Sequence, residues 1–151
     1  MVQMRRAMQL DAAAIRALVL AGSPGLQALG LAASDPLVGV QHRAQEQQWK
    51  TAHAGLERWL VVDDEDDVVG RCYLAEEDDG LRVVELTVRP ERRGQGIGTQ
   101  VLGWVHARAG RRPVTLHVDH RSRARDLYLR LGYVEVARDD VRARLERRPE
   151  A

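Results

Sequence analysis

The chain is 151 residues long, 44% hydrophobic and 30% charged, a balance that sets aside both a disordered and a membrane-embedded polypeptide. Its 23 basic and 22 acidic residues leave a formal charge of +1, so no broad positive field draws in a phosphate backbone and nucleic acid is not an expected partner. Cys72, the only cysteine, cannot form an intramolecular disulfide. No apolar run reaches the roughly 20 residues that cross a bilayer, and residues 1–10 lack an apolar signal core. One cytoplasmic domain spanning 1–151, with no membrane partner, is expected.

In chain order, residues 2–8 read as a first strand, and Asp11 is placed to cap a helix carrying Ala14, Ile15, Leu18 and Val19. Gly22, Pro24, Gly25, Gly30 and Pro36 then punctuate a loop-rich stretch, and a second helix is expected over 41–54. From Trp59 the period becomes that of strands, at 59–62, 68–74 and 81–88, with acidic turns at 63–67 and 76–80. These turns hold no histidine and no calcium-loop spacing, so they read as solvated and no metal is expected. Cys72, among Val68, Val69, Tyr73 and Leu74, reads as a buried structural thiol.

After Pro90 comes a glycine-rich loop, then a helix striped by Ile97, Val101, Leu102, Val105 and Ala109. A strand at 114–118 and a short helix capped by Ser122 and ended by Gly132 follow. Strands at 133–137 and 141–145 flank Asp139 and Asp140 as a closing hairpin. The order is strand, two helices, three strands, helix, strand, helix, two strands, an α/β chain with no internal repeat.

The segment 85–102, ELTVRPERRGQGIGTQVL, places Gly94, Gly96 and Gly98 between a strand and a helix. Glycine lets backbone approach a ligand closely, and the first helical turn offers unpaired N–H groups at the positive end of its dipole, so such a loop suits phosphate. A dinucleotide fingerprint needs glycine where Thr99 or Val101 stands, and a P-loop needs lysine where the loop has none, Lys50 being the only lysine. Both spacings fail. What fits is Arg-x-x-Gly-x-Gly, met by Arg93, Gly96 and Gly98 after Leu86, Val88 and Pro90. About 30 residues on, Ala124, Leu127, Tyr128, Gly132 and Tyr133 supply an Ala-x-x-Leu-Tyr helix ending in Gly-Tyr.

Together these motifs resemble the GNAT superfamily of acyltransferases from about Trp59 to Leu145. The glutamine-rich stretch with Gln41, Gln45, Gln47 and Gln48 resembles an uncharacterised bacterial branch of it. The resemblance implies an α/β GNAT fold, a mixed sheet of about seven strands with helices on both faces. It implies an enzyme that passes acetyl from acetyl-CoA to a primary amine of a small-molecule or protein acceptor. The implied coenzyme contacts are Leu86, Thr87, Val88, Arg93, Gly94, Gln95, Gly96, Ile97, Gly98, Thr99, Ser122 and Arg125. Arg92 stands beside Arg93 as a second candidate, and Ser122, or Arg121, occupies the place of an asparagine common in the family. By position Tyr128 is the acid that protonates the departing thiolate, and backbone N–H groups at 86–88 hold the oxyanion. Relatives are often dimers, so a homodimer is one arrangement the resemblance admits.

For the base, Glu85 is an acid in an apolar strand, and burial would raise its pKa. His117 competes with it, and a water relay is the third option. Strict alternation puts Val84, Leu86 and Val88 on one face and Val83, Glu85 and Thr87 on the other. Two rival functions stand beside the enzyme. One is a silent module that binds or senses acyl-CoA. The other is nucleic-acid binding by the arginines at 111–112, 121–125 and 142–148.

Overall fold

The strand periods become a seven-stranded mixed sheet in the computed structural model, which describes residues 1–149. The strands are β1 (Gln3–Arg6), β2 (Glu57–Val62), β3 (Val68–Glu76), β4 (Leu81–Val88), β5 (Val114–Asp119), β6 (Val134–Arg138) and β7 (Arg142–Arg147). Their spatial order is β1-β2-β3-β4-β5-β7-β6, antiparallel at every step except the parallel pair β4–β5. The three expected strands form the antiparallel meander β2-β3-β4. The closing hairpin also forms, with β7 and not β6 against β5.

Helices α1 (Ala12–Ala21), α2 (Pro24–Ala28) and α3 (Pro36–Ala52) cover one face, and α4 (Ile97–Ala109) and α5 (Ala124–Arg130) the other. The α4 stripe is as the spacing predicts: Ile97, Val101, Leu102, Val105 and Ala109 are all buried. They join Cys72, Leu74, Val83, Leu116 and Tyr128 in the larger core, while Ile15, Val19, Val38 and Leu60 form the smaller core beneath α1 and α3. Among the described residues, no helix is long and apolar enough to cross a membrane.

Three local expectations are corrected. The stretch read as loop contains α2, because Pro24 at the first helical position has its φ already set and the Ser23 carbonyl accepts from the Leu26 and Gln27 amides. Helix α3 starts at Pro36, five residues before the expected Gln41, because Asp35 caps it by accepting from the Leu37 amide at 2.9 Å. Asp11 precedes α1 but does not cap it. Its carboxylate turns back, accepting from the Met8 amide at 2.7 Å and from both Nη atoms of Arg5 at 2.9 Å. The Arg5 guanidinium therefore holds the buried Asp11 carboxyl below its ordinary range.

At the C-terminal end of α5, Gly132 takes φ +93 and the Tyr133 amide donates to the Tyr128 carbonyl, the glycine-dependent helix stop that the sequence indicates. The Tyr133 hydroxyl lies 2.7 Å from Nε2 of His106 on α4. Burial, with a smaller contribution from Arg147, pushes the His106 pKa down to about 4. The unfolded imidazole, with its ordinary value near 6.5, binds the extra proton, so this contribution to stability is whole above about pH 6.5 and drains as pH falls towards 4. Chemical denaturation at a series of pH values should show a falling midpoint across that window. His106→Gln should flatten the fall.

Candidate active site

The site begins where two strands part. Parallel pairing of β4 with β5 runs only through Leu81–Val114, Arg82–Thr115 and Val83–Leu116. Beyond Val83, β4 has no ladder partner on that side, while β5 continues to Asp119 against β7. The divergence coincides with a bulge: Tyr73 pairs with Glu85 and Leu74 with Val83, which leaves Val84 as the extra residue. A bulge bends its strand and increases local twist, which turns the C-terminal half of β4 away from β5. The result is an opening lined by main-chain groups of β4.

The bulge also overturns the strict alternation expected of β4. One extra residue shifts every later side chain to the opposite face. Leu81, Val83, Leu86 and Val88 therefore share the α4 and α5 face, where all four join the larger core. Glu85 and Thr87 share the other face with Tyr73 and Arg71, their β3 partners. The Thr87 hydroxyl donates to Glu85 Oε1 at 2.5 Å.

The glycine loop closes the mouth of this opening. Gly94 has φ +76 and Gly96 φ +79 with ψ 10, left-handed backbone that side chains with a Cβ rarely adopt. A Cβ at either position would meet no heavy atom within 4 Å, so glycine is set there by backbone conformation and open space. Gly98 is constrained differently, since its Cβ would come within 3.2 Å of Leu127 on α5. Among the described residues, none of the amides from 94 to 99 donates a hydrogen bond, and the first α4 amide that does so is that of Gln100, to the Gly96 carbonyl at 3.1 Å. A curved run of free amides at a helix start is an anion cradle.

The loop side chains divide in role. Arg93 Nε donates to the Val88 carbonyl at 3.1 Å and an Nη to the Ala21 carbonyl at 3.5 Å, strapping the loop to the ends of β4 and α1. Arg92 donates to Asp63 at 2.6 Å and to the Gln95 amide oxygen at 3.0 Å, so it is already committed to protein partners. Ile97 is buried, and Thr99 is exposed. Ser122 does not cap α5 as expected: Arg123 is the residue at the N-cap, and Ser122 Oγ, one residue earlier, accepts from the Ala124 amide at 3.2 Å. Arg125 lies against Glu135 of β6 at 3.3 Å, with its other Nη buried and unpartnered.

Tyr128 is buried on the α5 face turned to the sheet, edge-on to Tyr133 with ring centroids 5.7 Å apart. Its hydroxyl bonds no described residue yet keeps some solvent contact, as it is not among the fully enclosed unpartnered atoms. Burial pushes its pKa well above the ordinary tyrosine value, and the nearby Glu85 charge pushes the same way. Glu85 also adds to the burial that raises Cys72 to about 12, which makes that thiol inert. The Glu85 charge thus reaches Tyr128 although its strand turns Glu85 to the face opposite α5. His117 follows Leu116, the last β5 residue paired with β4, on the face shared with Thr115, and its Nδ1 lies 2.6 Å from an Arg82 Nη. Burial, then Arg82, Arg142 and Arg144, push His117 down to about 4.

This geometry can be set beside known proteins. An acetyltransferase (GNAT) domain family model matches residues 55–135, more than half of the chain. The chain belongs to the GNAT acetyltransferase family. Among solved structures, a Pyrococcus horikoshii OT3 protein matches with TM-score 0.74 at 20% identity over 100% of both chains. A Corynebacterium glutamicum protein, "histone acetyltransferase HPA2 and related acetyltransferase", matches with TM-score 0.71 at 19% identity over 99% of this GNAT chain and 97% of that one. The PaiA N-acetyltransferase of Thermoplasma acidophilum, solved with coenzyme A, gives 0.70 at 13% identity over 99% of each. At such identities these likenesses establish the shared fold alone. No curated protein matches the chain.

Sequence reasoning missed one residue of this region. Arg71 is 1% exposed, the only buried lysine or arginine among the described residues. The signal was a lone charge in the otherwise apolar run VVGRCYLA.

Proposed function

We propose that this chain is an N-acetyltransferase that moves the acetyl group of acetyl-CoA to a primary amine. The observation that carries the reading is the run of undonated amides at 94–99, set at the mouth of the opening between β4 and β5. A pyrophosphate accepts from those amides, and the thioester arm lies along β4, whose free main-chain edge begins at Val84. A structural neighbour of the same fold solved with coenzyme A supports the choice of ligand.

The reaction forms a C–N bond and breaks the C–S bond. Main-chain N–H groups at 86–88 take up the charge on the thioester oxygen, and the tyrosine hydroxyl of Tyr128 gives its proton to the leaving sulfur. Glu85 receives the proton lost by the amine. We assign the base to Glu85 over His117 because the His117 Nδ1 lone pair faces an arginine donor, which leaves Nε2 carrying the hydrogen. Arg93 acts by strapping the loop, and Gly94, Gln95, Gly96, Ile97, Gly98 and Thr99 act through their amides. Leu86 and Val88 form the wall beside the thioester arm.

A thermal-shift titration with acetyl-CoA tests the reading. A ligand at 100 times its dissociation constant stabilises by about 2.7 kcal/mol. A flat titration at saturating coenzyme would reject it.

A further inference from the structure

The face of the sheet opposite α4 carries two rows of side chains across β2, β3 and β4. One row is Arg58, Tyr73 and Glu85, and the next is Leu60, Arg71 and Thr87. Helix α3 lies over them with Gln45 and Trp49, a polar and aromatic surface where an apolar one would complete a core. Arg71 Nη2 donates to Gln45 Oε1 at 3.2 Å, and its guanidinium sits 5.1 Å from the Tyr73 ring centre and 5.5 Å from that of Trp49.

Among the described residues, no carboxylate bonds this guanidinium directly. Its Nε and Nη1 are enclosed and have no hydrogen-bond partner, and the enclosed Tyr73 hydroxyl has none either. Glu46, an acid on α3, is held by Arg58 at 2.6 Å. Glu85 is held by Thr87. Buried charge is ordinarily paired, and buried donors are ordinarily bonded, so three open donors gathered at one place mark a seat for an anion. Arginine suits a carboxylate there, since its planar fork matches the two oxygens.

Resting on the acetyltransferase reading above, we propose that Arg71 and Tyr73 bind a carboxylate on the acceptor, so that the substrate is an amine that is also a carboxylic acid. Tyr73 is the cross-strand partner of Glu85, and Arg71 lies on the same face two residues along, about 7 Å at the rise of a strand. The carboxylate accepts from Arg71 and the Tyr73 hydroxyl, exchanging with Gln45. The amine is thereby directed to Glu85 and the opening where the thioester lies. Arg71 and Tyr73 are specificity-determining residues in this account, and neither takes part in the proton transfers.

The test pairs acceptors that differ only in the carboxylate: 4-aminobutyrate against butylamine, and lysine against 1,5-diaminopentane, each with acetyl-CoA and thiol release as the readout. The wild type should favour the carboxylated member of at least one pair by tenfold or more in kcat/KM. Arg71→Met, which replaces the cation by an apolar chain of comparable length, should stay folded and keep its acetyl-CoA thermal shift. Its KM for the carboxylated acceptor should rise at least tenfold, with kcat less affected. Tyr73→Phe should move KM in the same direction by a smaller factor. Equal use of both members of each pair, or an unchanged KM in Arg71→Met, would overturn the carboxylate site while leaving the acetyltransferase reading intact. Coenzyme stabilisation without thiol release from any of the four amines overturns it as well. Loss of the coenzyme shift in the wild type itself would instead strike the underlying reading.

Discussion

Gly96→Val removes stabilisation by acetyl-CoA at concentrations that saturate the wild type, while the variant still folds. Gly96 has φ +79 and caps α4, so a β-branched residue there strains the left-handed backbone by about 1–2 kcal/mol or moves the loop out of it. Within the protein a new Cβ meets no atom inside 4 Å, so little of the loss comes from packing. What the side chain does fill is the open space in front of the free amides, where the pyrophosphate is seated in the proposed complex. Gly103→Ala is the matching control: it lies in α4, also has no atom within 4 Å of the added Cβ, and has no positive φ. It should keep full coenzyme stabilisation and gain roughly 0.5–1 kcal/mol of stability from helix propensity. Equal stabilisation of the valine variant and the wild type would show that this loop is not the cradle.

The loop was legible in the sequence because its determinants are local. A strand end, glycines at fixed spacing and an apolar stripe from Ile97 to Ala109 follow one another in 25 residues and depend on no distant register. The side-chain faces of β4 were not legible, because the bulge at Val84 is a property of its pairing with β3. That single residue parts Val83 from Glu85 and Thr87 and puts it on the face of Leu86 and Val88. The place of β7 between β5 and β6 is likewise set by pairing between distant segments. Asp11 shows the same limit on a smaller scale. Its type and position suit a helix cap, but a strand arginine and the Met8 amide compete for the carboxylate and win it.

Arg71 falls between these cases. A lone arginine in an apolar strand announces itself in the sequence, but only the structure shows that α3 sets Gln45 against it while Glu46 is engaged by Arg58. The same face explains why acceptor chemistry was harder to read than donor chemistry. The proposed coenzyme contacts are main-chain groups of one contiguous segment, whereas the proposed acceptor wall is assembled from β3, β4 and α3.

Tyr128→Phe should reduce turnover by about 10²-fold or more, the range typical of a positioned general acid, while acetyl-CoA stabilises the variant as it does the wild type. The hydroxyl bonds no described residue, so its removal breaks no protein hydrogen bond and the edge-on packing with Tyr133 at 5.7 Å survives. Stability should therefore change little, which separates this outcome from a packing defect. Burial and the Glu85 charge both raise the phenol above its ordinary pKa. The sign matters for the pH profile. A raised value keeps the proton on Tyr128 throughout the neutral range, so the wild-type rate should show no alkaline limb below pH 10 from this group, and the phenylalanine variant should share the wild type's pH dependence in that range at a lower plateau. A buried phenol is a weaker acid than a free one, yet in the proposed complex the thioester arm fills the opening that admits solvent to the Tyr128 hydroxyl, so water cannot easily supply the proton instead. Unchanged turnover in Tyr128→Phe would assign protonation of the thiolate to solvent and leave the tyrosine a packing role on α5.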